Sequence, residues 1–171
     1  MAEDNFLSVI TNNERLLDGH KIVHLFKVNR LDVTEKSFNP LEYDTQCPII
    51  PSSWLLEMDC ERMEVDGDSF IFSIKLKRKD SSNHRVKASF SVLFCDANGG
   101  ALLHPISSTK GRMICEDELQ SSLDNILPSA LVEVACVEVT IIIQNCHAGS
   151  DWQLCAPYLN IDKNRINLSK L

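Results

Sequence analysis

Two stretches, Phe70 to Lys77 and Val86 to Cys95, largely alternate apolar and polar side chains, and this alternation constrains the fold more than any other feature of the chain. Phe70, Phe72, Ile74 and Leu76 share one parity, with Ser73, Lys75 and Lys77 on the other; Val86, Ala88, Phe90, Val92 and Phe94 stand likewise opposite Lys87, Ser89 and Ser91. Successive side chains of a strand point to opposite faces, so each stretch reads as a strand with one face toward a core. The connector from Arg78 to Arg85 is polar, with Asp80, Ser81, Ser82 and Asn83, and predicts an antiparallel hairpin between the two.

Further strands are expected from Lys21 to Val28 and around Trp54 to Met58. Leu131 to Ile143 is nearly unbroken apolar and β-branched sequence, the composition of a central strand. Asp96-Ala97-Asn98-Gly99-Gly100 is the strongest turn signal, and Asp66-Gly67-Asp68 a second one. Ala101 to Arg112 reads as a loop or a weak edge strand. From Glu116 to Leu127 the period changes: Leu119, Leu123, Ile126 and Leu127 fall on one helical face behind the acidic Glu116, Asp117 and Glu118, with Pro128 as the stop. The expectation is an all-β antiparallel sandwich of about eight strands with one short helix before the last strand. Its division is a polar N-terminal segment 1–19, containing at most a short helix near Glu14 to Leu17, a sandwich over 20–143, and a C-terminal tail 144–171.

A length of 171 residues with 44% hydrophobic content supports one core. A net charge of −7 disfavours a nucleic-acid partner, which requires a basic surface. Phe6 to Ile10 is too short for a signal or membrane segment, so an intracellular protein, cytoplasmic or nuclear, is expected. The seven cysteines are odd in number and scattered without Cys-x-x-Cys spacing, which argues for reduced thiols rather than a zinc site or a redox pair. No metal or cofactor is expected.

The five histidines form no catalytic motif with neighbouring Ser, Cys or carboxylates, and Gly99, Gly100 and Gly111 lie outside any phosphate-cradling signature. Asp66-Gly67-Asp68 lacks the spaced ligands of a calcium loop. An enzyme is not expected. The one notable charge cluster is basic: Lys75, Lys77, Arg78, Lys79, Arg85 and Lys87.

Several segments resemble the MATH domain, a TRAF-like β-sandwich, and most closely that of speckle-type POZ proteins. Leu25-Phe26-Lys27-Val28-Asn29 resembles the family's opening strand, Ser53-Trp54-Leu55-Leu56 its Lys-Trp-x-Leu strand, and Phe72-Ser73-Ile74-Lys75-Leu76 its Leu-Ser-Leu-Tyr-Leu strand. Val86 to Val92 resembles Val-x-Ala-x-Phe-x-Phe and Asp96 to Gly99 the turn after it; Leu127-Pro128 and Val134 to Val139 are similar to the family's closing segment. The similarity spans roughly residues 20–143.

The resemblance implies a protein-interaction module that binds short extended peptides in a groove on one sheet, related to substrate-recognition adaptors of ubiquitin ligases. The positions it assigns to the groove are Lys75, Phe90, Lys110, Gly111 and Arg112, with cations replacing the family's aromatic side chains at Lys75, Lys110 and Arg112. Such a groove is expected to favour acidic or phosphorylated segments. The BTB domain and coiled coil of relatives do not fit in the 28 residues after Ile143 or the 20 before Lys21, which leaves an adaptor or competitor acting without a ligase-recruiting part, or a fragment of a longer product. The competing expectation is a structural or self-associating sandwich with a degenerate groove. Oligomeric state is not legible in the sequence.

Overall fold

A computed structural model describes residues 8–32, 36–63 and 68–147, without the side chains of residues 36 and 37. The elements in chain order are β1 (Val9–Leu16), β2 (Gly19–Lys27), β3 (Lys36–Ser37), β4 (Leu41–Asp44), β5 (Ser53–Arg62), β6 (Phe70–Arg78), β7 (Val86–Cys95), β8 (Ile106–Met113), β9 (Glu118–Ile126), α1 (Pro128–Val132) and β10 (Cys136–Gln144). They form two antiparallel sheets, β1-β2-β10-β7-β8 and β3-β5-β6-β9, with β4 also paired to β5. The chain is an all-β sandwich with one short helix before its last strand, as the alternation implied. Among the described residues no helix is long and apolar enough to cross a membrane.

The two alternating strands do not form a hairpin. β6 pairs with β5 and β9, β7 pairs with β10 and β8, and residues 79–85 cross from one sheet to the other. Their apolar faces therefore meet across the interior rather than side by side. Phe72 of β6 and Phe94 of β7 lie edge to face with centroids 4.9 Å apart, and the aromatic chain continues from Phe72 to Phe38 and on to Phe26. Each such contact contributes about 0.5–1.5 kcal/mol beyond its buried area.

The crossing is fixed by Arg78, whose side chain is fully buried. Its Nε and Nη2 donate to the two carboxylate oxygens of Asp80 at 2.8 and 3.0 Å, and Nη1 donates to the carbonyls of Met113, at 2.7 Å, and His84. Asp80 in turn accepts the backbone N–H groups of Ser82 and Ser53. The polar residues that suggested a tight turn thus serve a buried ion pair at the sheet-to-sheet crossing.

Two further segments differ from expectation. Residues 9–16 are not a polar segment outside the domain: they form β1, an edge strand paired along its length with β2 and exposed on nearly all positions. A strand wet on both faces carries no alternation for the sequence to display. The expected helix over 116–127 is instead β9, and the helix lies beyond it with Pro128 in its first turn. A register shift against β6 explains the misleading pattern: Phe72 faces Leu123, whereas Phe70 faces Ile126. Two residues of β6 are spanned by three of β9, a bulge in which Asn125 takes φ 56°. The bulge returns Ile126 to the core, so the spacing of Leu119, Leu123 and Ile126 imitates a helical face.

Ala101 to Arg112 ends in an edge strand, β8, as one of its two readings had it, and the apolar run from Leu131 enters its strand only at Cys136, as β10 between β2 and β7. At the turn after β7, the Asp96 carboxylate accepts from Asn98 and Gly100, and Gly99 has φ 83°, which glycine tolerates without steric cost. The remaining turn expectation, at Asp66-Gly67, and the tail from residue 148 lie outside the described residues.

Candidate functional site

Outward positions of β5, β6 and β9 surround a shallow depression of about 420 Å³, lined among others by Glu57, Asp59, Ser73, Lys75, Gln120 and Ser122. Lys75 projects onto this face because the inward parity of β6 is taken by Phe72, Ile74 and Leu76. Its Nζ lies 2.7 Å from Glu57 Oε2 on the neighbouring strand; the hydrogen bond to Glu57 raises the lysine's pKa. Lys77, next on the same parity, sits 2.6 Å from Glu116 and 3.8 Å from Glu118. That contact raises the Lys77 pKa and lowers that of Glu116.

The other four residues assigned to the groove are on the opposite sheet, on β7 and β8. Phe90 is only 3% exposed and belongs to the core; it shares the inward parity of Val92 and Phe94 and cannot form the floor of an outer groove. Lys110 lies 3.4 Å from Asp117, bridging the edge strand β8 to the segment leading into β9. Asp117 accepts the Ile114 N–H, which with Lys110 holds its carboxyl below the usual range. Gly111 and Arg112 are exposed. A Cβ at Gly111 would meet nothing within 4 Å, so no close approach there demands glycine. The structure therefore does not bring Lys75, Phe90 and Arg112 into one strip. Two of the three cations expected to attract an acidic ligand, Lys75 and Lys110, already face carboxylates.

A second constellation had no signal in the spacing of the sequence. His20 at the start of β2, Cys47 in the β4–β5 connection, and Cys146 and His147 just beyond β10 are all buried and converge at one end of the sandwich. One ligating atom from each lies within 4.8 Å of the others. The His20 and His147 rings stand edge to face with centroids 5.3 Å apart. Burial, followed by the nearby Cys47, pushes the Cys146 thiol up to about 12; burial, with His147 and Arg15 adding to it, lowers the pKa of His20.

No protein-family model matches the chain, and no curated protein gives a significant match. Among solved structures, the enzymatically active domain of tailspike protein 4 from bacteriophage CBA120 is similar at 16% identity and a TM-score of 0.25. That match covers 81% of this chain but only 17% of the tailspike chain, and at so low a TM-score it bears on neither fold family nor activity.

Proposed function

We propose that this chain is a protein-interaction module of the MATH type, without catalytic activity of its own, which docks an extended segment of a partner protein on the outer face of β5, β6 and β9. The observation that carries the reading is the depression around Lys75: open, polar, and bordered by β9, which has no further strand beside it in its sheet among the described residues. An extended chain laid there gains backbone hydrogen bonds from a strand edge and side-chain contacts from the face. Recognition as a substrate adaptor in the cytoplasm or nucleus is the role that fits such a module.

The chemistry of the face refines the ligand. Two carboxylates, Glu57 and Asp59, and one ammonium, Lys75, line it together with Ser73, Gln120 and serines 121 and 122. An acidic or phosphorylated residue would have to displace Glu57 from Lys75 and approach Asp59. A neutral segment rich in Ser, Thr, Asn or Gln meets the same groups without that cost, and we assign the preference to such segments.

The test is affinity capture from cells with the wild-type chain, the Lys75→Glu/Ser73→Tyr variant, and Lys87→Glu on the outer face of the other sheet. Loss of a defined partner set in the first variant and retention in the second supports the reading; equal capture by all three refutes it. A second reading, self-association, is favoured by β1, an edge strand with Val9 38% and Ile10 53% exposed. A dimer in sedimentation that dissociates on Ile10→Lys would favour it.

A further inference from the structure

The end of the sandwich where β1 turns into β2 and β10 leaves its sheet holds four buried metal-ligand side chains, two of which keep an imidazole nitrogen that the packing does not use. His20 Nε2 and His147 Nε2 are both buried without a hydrogen-bond partner, a state that costs free energy unless something else occupies the lone pairs. The Nδ1 of His147 lies 3.1 Å from the Leu17 carbonyl. With Nδ1–H donating there, Nε2 is the nitrogen left with a free lone pair, and a second carbonyl-type partner on the other nitrogen is the arrangement that orients metal-bound imidazoles. The Cys47 thiol donates a weak hydrogen bond to the Cys146 carbonyl at 3.8 Å, which zinc binding would replace.

The backbone is shaped to deliver these groups. Adjacent residues in a regular strand face opposite sides, yet Cys146 and His147 are both buried. They can both turn inward because β10 ends at Gln144, Asn145 takes φ 63°, and the Asn145 N–H is held by the Asp18 carbonyl at 3.0 Å. On the facing connection, Gln46 takes φ 51° immediately before Cys47.

We propose that His20, Cys47, Cys146 and His147 form a closed tetrahedral zinc site. Two thiolates and two imidazoles are the donor set of structural zinc, and metal–ligand bonds of about 2.0–2.3 Å place tetrahedral donors roughly 3.3–3.8 Å apart. The 4.8 Å limit that encloses the cluster exceeds that spacing by about 1–1.5 Å. Two thiolates neutralise the dication, so the ion can be buried without net charge. Four protein ligands leave no position for substrate, which makes the role structural. The ion would tie Cys47, between two strands of the second sheet, to His20, Cys146 and His147 at the ends of β2 and β10 in the first sheet, closing one end of the sandwich.

Elemental analysis of the full chain, purified without chelator, tests this. The expected result is one zinc per chain, abolished in Cys47→Ser and in His147→Gln but retained in Cys115→Ser. Cobalt(II) added to metal-stripped wild-type chain gives the visible bands of tetrahedral coordination and a thiolate charge-transfer band, an observation that does not depend on any variant folding. Chelation lowers the thermal midpoint by roughly 5–10 °C. A folded wild-type chain that retains no zinc and gives no tetrahedral cobalt spectrum overturns the proposal. So does zinc that persists in Cys47→Ser, or a Cys47–Cys146 disulfide in freshly purified protein.

Discussion

Removing the carboxylate of Asp80 strands a guanidinium that has no exposed surface. Arg78 is 0% exposed, and Asp80 is the one carboxylate it hydrogen-bonds among the described residues, its other acceptors being the Met113 and His84 carbonyls; Asp117 feels its charge from farther away. Asp80→Ala leaves that cation buried without a bonded carboxylate, and also orphans the N–H groups of Ser82 and Ser53. Loss of one partner of a buried pair costs about 3–5 kcal/mol, which for a chain of this size lowers the thermal midpoint by roughly 6–20 °C. The double variant Arg78→Met/Asp80→Ala removes the stranded charge, so the Arg78 change costs less there than in the wild type, with a coupling energy of about 2–3 kcal/mol. Urea unfolding of the four-member cycle reads both numbers, and salt has little effect because the pair is shielded from solvent. A cost below about 1 kcal/mol for Asp80→Ala, or additive single changes, would refute the argument that this pair fixes the crossing between sheets. Burial alone would raise the Asp80 carboxyl, but the Arg78, Ser82 and Ser53 bonds outweigh it and leave the pKa lowered. Its stabilising contribution is therefore complete above the unfolded carboxylate range and lost as pH falls through the folded value; Asp80→Ala removes that part of the acid limb.

Burial lowers His24 from 6.5 to about 4, so between those values the unfolded chain binds the proton that the folded chain excludes. Stability accordingly rises with pH across this window and is fully present above the unfolded value, a span of about 3 kcal/mol. Urea midpoints measured against pH should lose that slope in His24→Gln; an unchanged slope contradicts a neutral buried imidazole. Phe90→Ala empties a core position and costs about 3–5 kcal/mol, while binding per folded molecule stays unchanged. Calorimetry combined with partner titration checks both halves, and a stable variant that no longer binds would return Phe90 to the groove.

The sequence displayed what repeats locally. The inward faces of β5, β6 and β7 follow from their alternation, and the turn at Asp96 to Gly100 from its own residues, whereas β2, apolar on both parities, reads as buried on both faces but is fully buried on one, with the other partly covered. Which strand each one pairs with is not written in any local window, so β6 and β7 looked like a hairpin although they face each other from opposite sheets. Exposure on both faces hid β1, and the bulge near Asn125 disguised β9. For Phe90 the alternation alone pointed inward, and it was the resemblance that moved this residue to a groove. Lys75 was legible as an outward side chain, but its partner Glu57 lies on a different strand. The cluster of His20, Cys47, Cys146 and His147 escaped notice because its members come from three separate parts of the chain, and spacing rules detect only ligands carried by one hairpin or loop.

The docking face is tested most directly by a photoreactive side chain placed at Ser73 or Ser122, with Lys87 on the opposite sheet as the control, followed by mass-spectrometric mapping of adducts formed in cells. The account predicts adducts from positions 73 and 122 that fall within an extended, neutral polar segment of a partner, and none from position 87. Adducts arising chiefly from position 87, or from none of the three while partners are still captured, would contradict it.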